Sequence, residues 1–100
     1  MFKTTLKEFT KKHSYDNYLR YELRKILSDN NYTGYYITFH GGRNLLSNDK
    51  QSNGKQISDY YKAAGYSIIA RIILPRKYAP SRIGYNHQSE IGAIILYKGD

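Results

Sequence analysis

From Tyr15 to Leu27 the apolar positions fall at Tyr15, Tyr18, Leu19, Leu23, Ile26 and Leu27. Steps of three and four residues line one face of an α-helix, so the spacing predicts a helix over about 15–27. Ser14 or Asp16 is its candidate N-cap. Asp16 and Arg20 stand four apart, the helical spacing for an ion pair. Ahead of it, residues 4–12 read as a shorter amphipathic helix. Leu6 and Phe9 lie on one side, with Lys3, Lys7 and Lys11 on the other. His13-Ser14 breaks that helix, and Ser28-Asp29-Asn30-Asn31 stops the second.

The period then changes. Tyr35 to His40 alternates and is rich in β-formers, which predicts a strand. One face carries Tyr35, Ile37 and Phe39, and the other Tyr36, Thr38 and His40. Residues 43–55 are polar, with turn signals at Ser47-Asn48-Asp49 and Ser52-Asn53-Gly54. They read as a loop in which Leu45-Leu46 plugs onto the core. A short helix is expected over about 57–64, with Gly65 as the residue after its cap. Tyr66 to Leu74 predicts the strongest strand. Its faces read as Ile68, Ala70, Ile72 and Leu74 against Ile69, Arg71 and Ile73. Apolar residues on both faces place it centrally in a sheet. Pro75 ends it, residues 76–89 form a connection, and Ile91 to Tyr97 is a third strand. The expected architecture is α+β in a single domain over 1–100. Two N-terminal helices precede a sheet of at least three strands with one short inserted helix.

Composition narrows the class of partner. The 100 residues include 16 Lys+Arg against 8 Asp+Glu, a net charge of +8, with 12 Tyr and no Cys. Without Cys there is no disulfide framework, thiol nucleophile or Cys-bound metal. No apolar run approaches membrane-spanning length. The first residues, Met1-Phe2-Lys3-Thr4-Thr5-Leu6-Lys7, lack the apolar stretch of a signal peptide, so a cytoplasmic location is expected. The charge points to a polyanion: nucleic acid, a ribonucleoprotein, an anionic membrane face or an acidic protein surface. Glu8, Asp16 and Glu22, which interrupt the basic helix faces, argue against the membrane.

The stretch from Tyr60 to Ser89 sharpens this. It holds Lys62, Arg71, Arg76, Lys77 and Arg82 with no acidic residue, interleaved with Tyr60, Tyr61, Tyr66, Tyr78 and Tyr85. Lys and Arg neutralise phosphates, and tyrosine rings stack on unpaired bases. The candidate nucleic-acid-binding residues are Arg76, Lys77, Arg82, Tyr78, Tyr85, Lys62 and Arg43. Arg71 alternates with core isoleucines and also reads as a structural charge. A second basic group, Lys7, Lys11, Lys12, Arg20, Arg24 and Lys25, lies on the helices and reads first as solubilising surface.

Catalytic alternatives rest on few residues. The histidines, at 13, 40 and 87, show no metal-ligand spacing, and no metal or cofactor is expected. His40 ends a strand just before Gly41-Gly42-Arg43, where a base could face an oxyanion held by glycine amides. With His87, Tyr85 and Arg82 it supplies the residue types of a metal-free ribonuclease.

Two resemblances add to this. Ile68-Ile69-Ala70-Arg71-Ile72-Ile73-Leu74-Pro75, then Ser89-Glu90 before Ile91 to Leu96 and Lys98-Gly99, resembles the end of a bacterial ADP-ribosyltransferase core. His40-Gly41-Gly42 resembles the same family's early strand-end motif. The resemblance implies Glu90 as the catalytic acid and His40 as a contact to the nicotinamide nucleotide. In composition the chain is also similar to the small Lys-, Asn- and Tyr-rich accessory proteins of phages and mobile elements, anti-CRISPR inhibitors among them. That likeness implies a non-enzymatic inhibitor of a nucleic-acid-processing defence system.

Overall fold

The computed structural model describes residues 2–28, 30–40, 53–79 and 90–99. Their elements run β1 (Phe2–Thr5), α1 (Leu6–Lys12), α2 (Asn17–Ile26), β2 (Tyr35–His40), α3 (Asn53–Ala63), β3 (Ser67–Pro75), a 3-10 turn (Arg76–Tyr78) and β4 (Glu90–Tyr97). The strands form one antiparallel sheet in the order β1-β2-β4-β3. The fold is thus α+β, with three helices and four strands among the described residues.

The first helix begins later than expected because a strand precedes it. Phe2–Thr5 pairs with Phe39–Tyr36 along the edge of the sheet. Thr5 ends that strand and caps α1, its side chain accepting from the Glu8 amide at 3.2 Å. Four residues are too few to display a period, so β1 merged with the helical pattern in sequence. Asp16, rather than Ser14, caps α2 and accepts from the amides of Tyr18 and Leu19 at 3.1 and 3.4 Å. Gly65 ends α3 as expected, at φ +94°. Its amide bonds to Lys62 O and the Tyr66 amide to Tyr61 O, both at 3.0 Å. This paired return satisfies the last helical carbonyls and favours a residue without a Cβ. The helix starts at Asn53, before the expected 57.

The sheet is packed on both sides. On one, α1 and α2 cover it: Leu6, Phe9, Leu19, Leu23 and Leu27 meet Ile37, Phe39, Leu74, Ile91, Ala93 and Ile95. On the other, Tyr61 of α3 packs on Ile94 and Leu96, with Ile57, Tyr66, Tyr36 and Ile68 around them. This double cover makes β4 the central apolar strand, buried throughout Ile91–Leu96.

The expectation that β3 is central is corrected. It is an edge strand. A register shift between Ile68 and Ala70 leaves Ile69 out of the pairing, 38% exposed. The extra residue also moves Ile68 to the α3 side, while Ile72 and Leu74 keep the α1–α2 side. Apolar residues on both faces therefore reflected a bulge and two covering layers, not a central position. An irregular edge also resists pairing with another chain.

Tyr15, expected to pack within the helix face, points outward and is 98% exposed, whereas Tyr18 is half-exposed with its ring lying on Tyr78. Of the remaining expectations, Gly41-Gly42, Leu45-Leu46 and most of the 43–55 and 76–89 connections lie outside the described residues.

Candidate nucleic-acid interface on the helical face

Both N-terminal helices bury one stripe and leave another in solvent. On α1, Leu6 and Phe9 face the sheet while Lys7 and Lys11, one turn apart, stay exposed. On α2, Leu19 and Leu23 are buried while Arg20 and Arg24, again one turn apart, stay exposed. Packing α1 beside α2 on one sheet face brings these two pairs to the rims of a shared groove. The groove encloses about 460 Å³ and is lined by Lys7, Thr10, Lys11, His13, Leu19, Arg20, Leu23, Arg24, Asn30 and Tyr32.

No carboxylate is among the described lining residues. The carboxylates on these helices that make ion pairs bind other cations. Glu22 pairs with Lys25 at 3.1 Å and Asp16 with Lys77 at 3.4 Å. Arg20 is held across the turn between the helices by donating to the Ser14 carbonyl at 2.5 Å. That turn also replaces the expected Asp16–Arg20 pair, since the Asp16 carboxylate is bonded to Tyr78 and Lys77 instead. Four cations on a groove whose described lining holds no carboxylate create a positive potential suited to an anionic ligand. The Thr10 hydroxyl bonds back to Leu6 O at 2.9 Å, so it is satisfied within the helix.

Beside the groove lies a second basic surface of Lys12, His13, Tyr15, Asp16, Asn17 and Lys77. His13 belongs to both. Its ring packs on Phe9 and Tyr78, 4.8 and 5.1 Å between centroids. Burial, and then Lys12, hold its imidazole below the usual histidine value. Asp16 organises this corner. The Tyr78 hydroxyl donates to it, which lowers the carboxyl below its ordinary range, with the Leu19 amide and Lys77 adding to the effect. Burial, and then the bond to Asp16, push the Tyr78 phenol well above its ordinary value.

The residues singled out in sequence are distributed as follows. Lys77 is exposed beside the helical surface, as expected. Tyr78 is not available to a ligand: it is 4% exposed, with its ring against Phe9 and His13. Its burial follows from the bond to the α2 cap, a contact across 62 residues. Arg76 is half-buried in the same turn. Lys62 lies in the last turn of α3, whose packing is on the opposite side of the sheet. Among the described residues of the basic stretch from Tyr60 onward, Lys62 and Lys77 therefore lie on opposite sides of the sheet. Arg43, Arg82, Tyr85 and His87 lie outside the described residues. Sequence reading undervalued Lys7, Lys11, Arg20 and Arg24, although their i,i+4 spacing was visible, and missed Asn30 and Tyr32.

His40 and Glu90 sit near one end of the sheet. His40 pairs with Gly92, two residues along β4 from Glu90, and alternation places both on the α3 side. His40 is 8% exposed, and its Nε2 lies 2.8 Å from Thr38 Oγ1. Burial lowers its imidazole to about 4, so it is neutral at physiological pH. The Tyr61 hydroxyl also bonds to Thr38, and the rings of His40 and Tyr61 meet edge to face at 6.1 Å. Glu90 is exposed, and no hydrogen bond or ion pair joins it to His40. His40 is thus part of a buried polar cluster. Among the described residues no group of three or more His, Asp or Glu could hold a metal ion. No helix among them is long and apolar enough to cross a membrane.

No family model, curated protein or solved structure matches this chain.

Proposed function

We propose that this chain is a small non-enzymatic module that binds nucleic acid or a nucleoprotein complex through the groove between α1 and α2. The observation that carries this reading is the convergence of Lys7, Lys11, Arg20 and Arg24 on one groove whose described lining holds no carboxylate. Phosphates answer that pattern, because each neutralised phosphate releases condensed counterions. The adjoining Lys12 and Lys77 extend the same surface. A basic chain of this size would act by binding the guide RNA, the target DNA or an acidic protein face of a larger complex, as an anti-CRISPR-like inhibitor from a phage or mobile element.

The test is affinity for RNA and DNA against salt concentration. Binding should weaken steeply with salt. Each of Lys7→Ala, Lys11→Ala, Arg20→Ala and Arg24→Ala should shallow the logarithmic slope by about 0.7 to 0.9 for each phosphate no longer neutralised. Stability should stay within about 0.5 kcal/mol, since these side chains are exposed. Binding that ignores salt, or a slope unchanged in all four variants, would refute the proposal. Capture of the same partner before and after nuclease treatment separates nucleic acid from an acidic protein.

A further inference from the structure

The outer surface of α2 carries aromatic rings beside its cations. Tyr21 lies one helical turn from Arg24 and one turn from Tyr18. Tyr15 precedes the helix and borders the surface of Lys12 and Lys77. The exposures of Tyr15, Tyr21 and Tyr18 are 98%, 62% and 45%. A ring left in water adds little to the core, so a ring exposed beside cations is placed to meet a ligand.

Two of the rings are also braced. Tyr18 lies parallel to Tyr78 at 6.4 Å and 7°, and Tyr78 is fixed by Asp16. Lys25 Nζ sits 4.4 Å from the Tyr21 ring centre and is itself held by Glu22. Rings set in place beforehand lose less freedom when a ligand arrives.

Cations alone do not distinguish one nucleic acid from another, but exposed rings do. In a duplex the bases are stacked inside, and exposing one to a protein ring requires unstacking it. In a single strand each base offers a face. We infer that the ligand of this surface is single-stranded nucleic acid, its phosphates along the α1–α2 groove and its bases stacked on Tyr21, one turn from Arg24, and on Tyr15, which borders the adjoining basic surface. This rests on the phosphate-binding reading of the same surface.

The experiment is an anisotropy titration of labelled oligothymidylate and of a hairpin duplex of equal nucleotide count, both at one low salt concentration. The single strand should bind about tenfold more tightly or better. Tyr15→Ala and Tyr21→Ala should each weaken oligothymidylate binding about fivefold or more, leaving duplex affinity and salt slope unchanged. Tyr15→Phe and Tyr21→Phe should bind like the parent, because the ring remains. Unchanged thermal midpoints in these exposed-site variants show that folding is intact. Equal affinity for strand and duplex, with neutral Tyr→Ala variants, overturns the single-strand inference and leaves phosphate binding standing. Failure to bind either probe overturns both.

Discussion

The two sides of the sheet are built differently. The α1–α2 side is a continuous apolar core, running from Leu6 and Phe9 through Leu23 to Ile95. The α3 side has a smaller apolar cluster around Tyr61, Ile94 and Leu96. Beside it, Thr38, His40 and Ser58 are buried polar residues, and the Ser58 hydroxyl has no partner among the described residues. Burial of apolar area stabilises at roughly 25 cal/mol per Å², whereas an unpaired buried hydroxyl costs free energy. The helical side thus supplies most of the cohesion, and its outer surface can carry clustered charge and exposed rings. A strong interior makes an electrostatically repulsive exterior tolerable. The α3 side adds fixed hydrogen-bond geometry, at some cost to stability.

The largest effect should come from breaking the helical side. Leu23→Ala leaves a cavity at a fully buried position, and should lower unfolding free energy by about 2 to 5 kcal/mol in denaturant titration. A loss under 1 kcal/mol would remove the contrast between the sides. Next comes acid. His40 has an ordinary value near 6.5 and a folded value of about 4. Below pH 6.5 the unfolded chain takes up a proton that the folded chain refuses until about pH 4. Stability present at neutral pH should therefore decline through that interval, by up to about 3 kcal/mol. His40→Gln should remove most of this slope, and His13→Gln on the helical side much less. Equal effects from the two would erase the distinction. The smallest effect is a gain: Ser58→Ala removes the unpaired hydroxyl and should stabilise by about 1 kcal/mol. Destabilisation of that size would mean that the hydroxyl is satisfied.

How much of this was legible in sequence varied with the range of the interactions. Tyr35 to His40 alternates cleanly, and β2 has those bounds. Leu19 and Leu23 followed from helical spacing and are buried. The period at Tyr15 and Tyr18 looked the same, yet Tyr15 faces water and Tyr18 packs on Tyr78 rather than on the sheet. An aromatic residue matches an apolar stripe by type, while the direction of its side chain depends on what the helix packs against. Tyr78 shows the converse. It reads as exposed because Arg76, Lys77 and Pro80 surround it, and it is buried because Asp16 lies beside it in space. The site was legible as charge but not as place. Lys7, Lys11, Arg20 and Arg24 were each visible, and their shared groove depends on how α1 lies along α2.

Asp16 has a consequence for the order of assembly. One carboxylate oxygen serves the amides of Tyr18 and Leu19, two and three residues away, while the other serves Tyr78 and Lys77 beyond β3. The local half can form as soon as α2 nucleates. The distant half must wait for loop closure over most of the chain, an entropic cost that long-range contacts meet late. The same side chain would then contribute to the folding rate through one oxygen and to the unfolding rate through the other. Its two hydrogen-bonding arms divide the speed of folding from the resistance to unfolding within a single residue, and both add to stability.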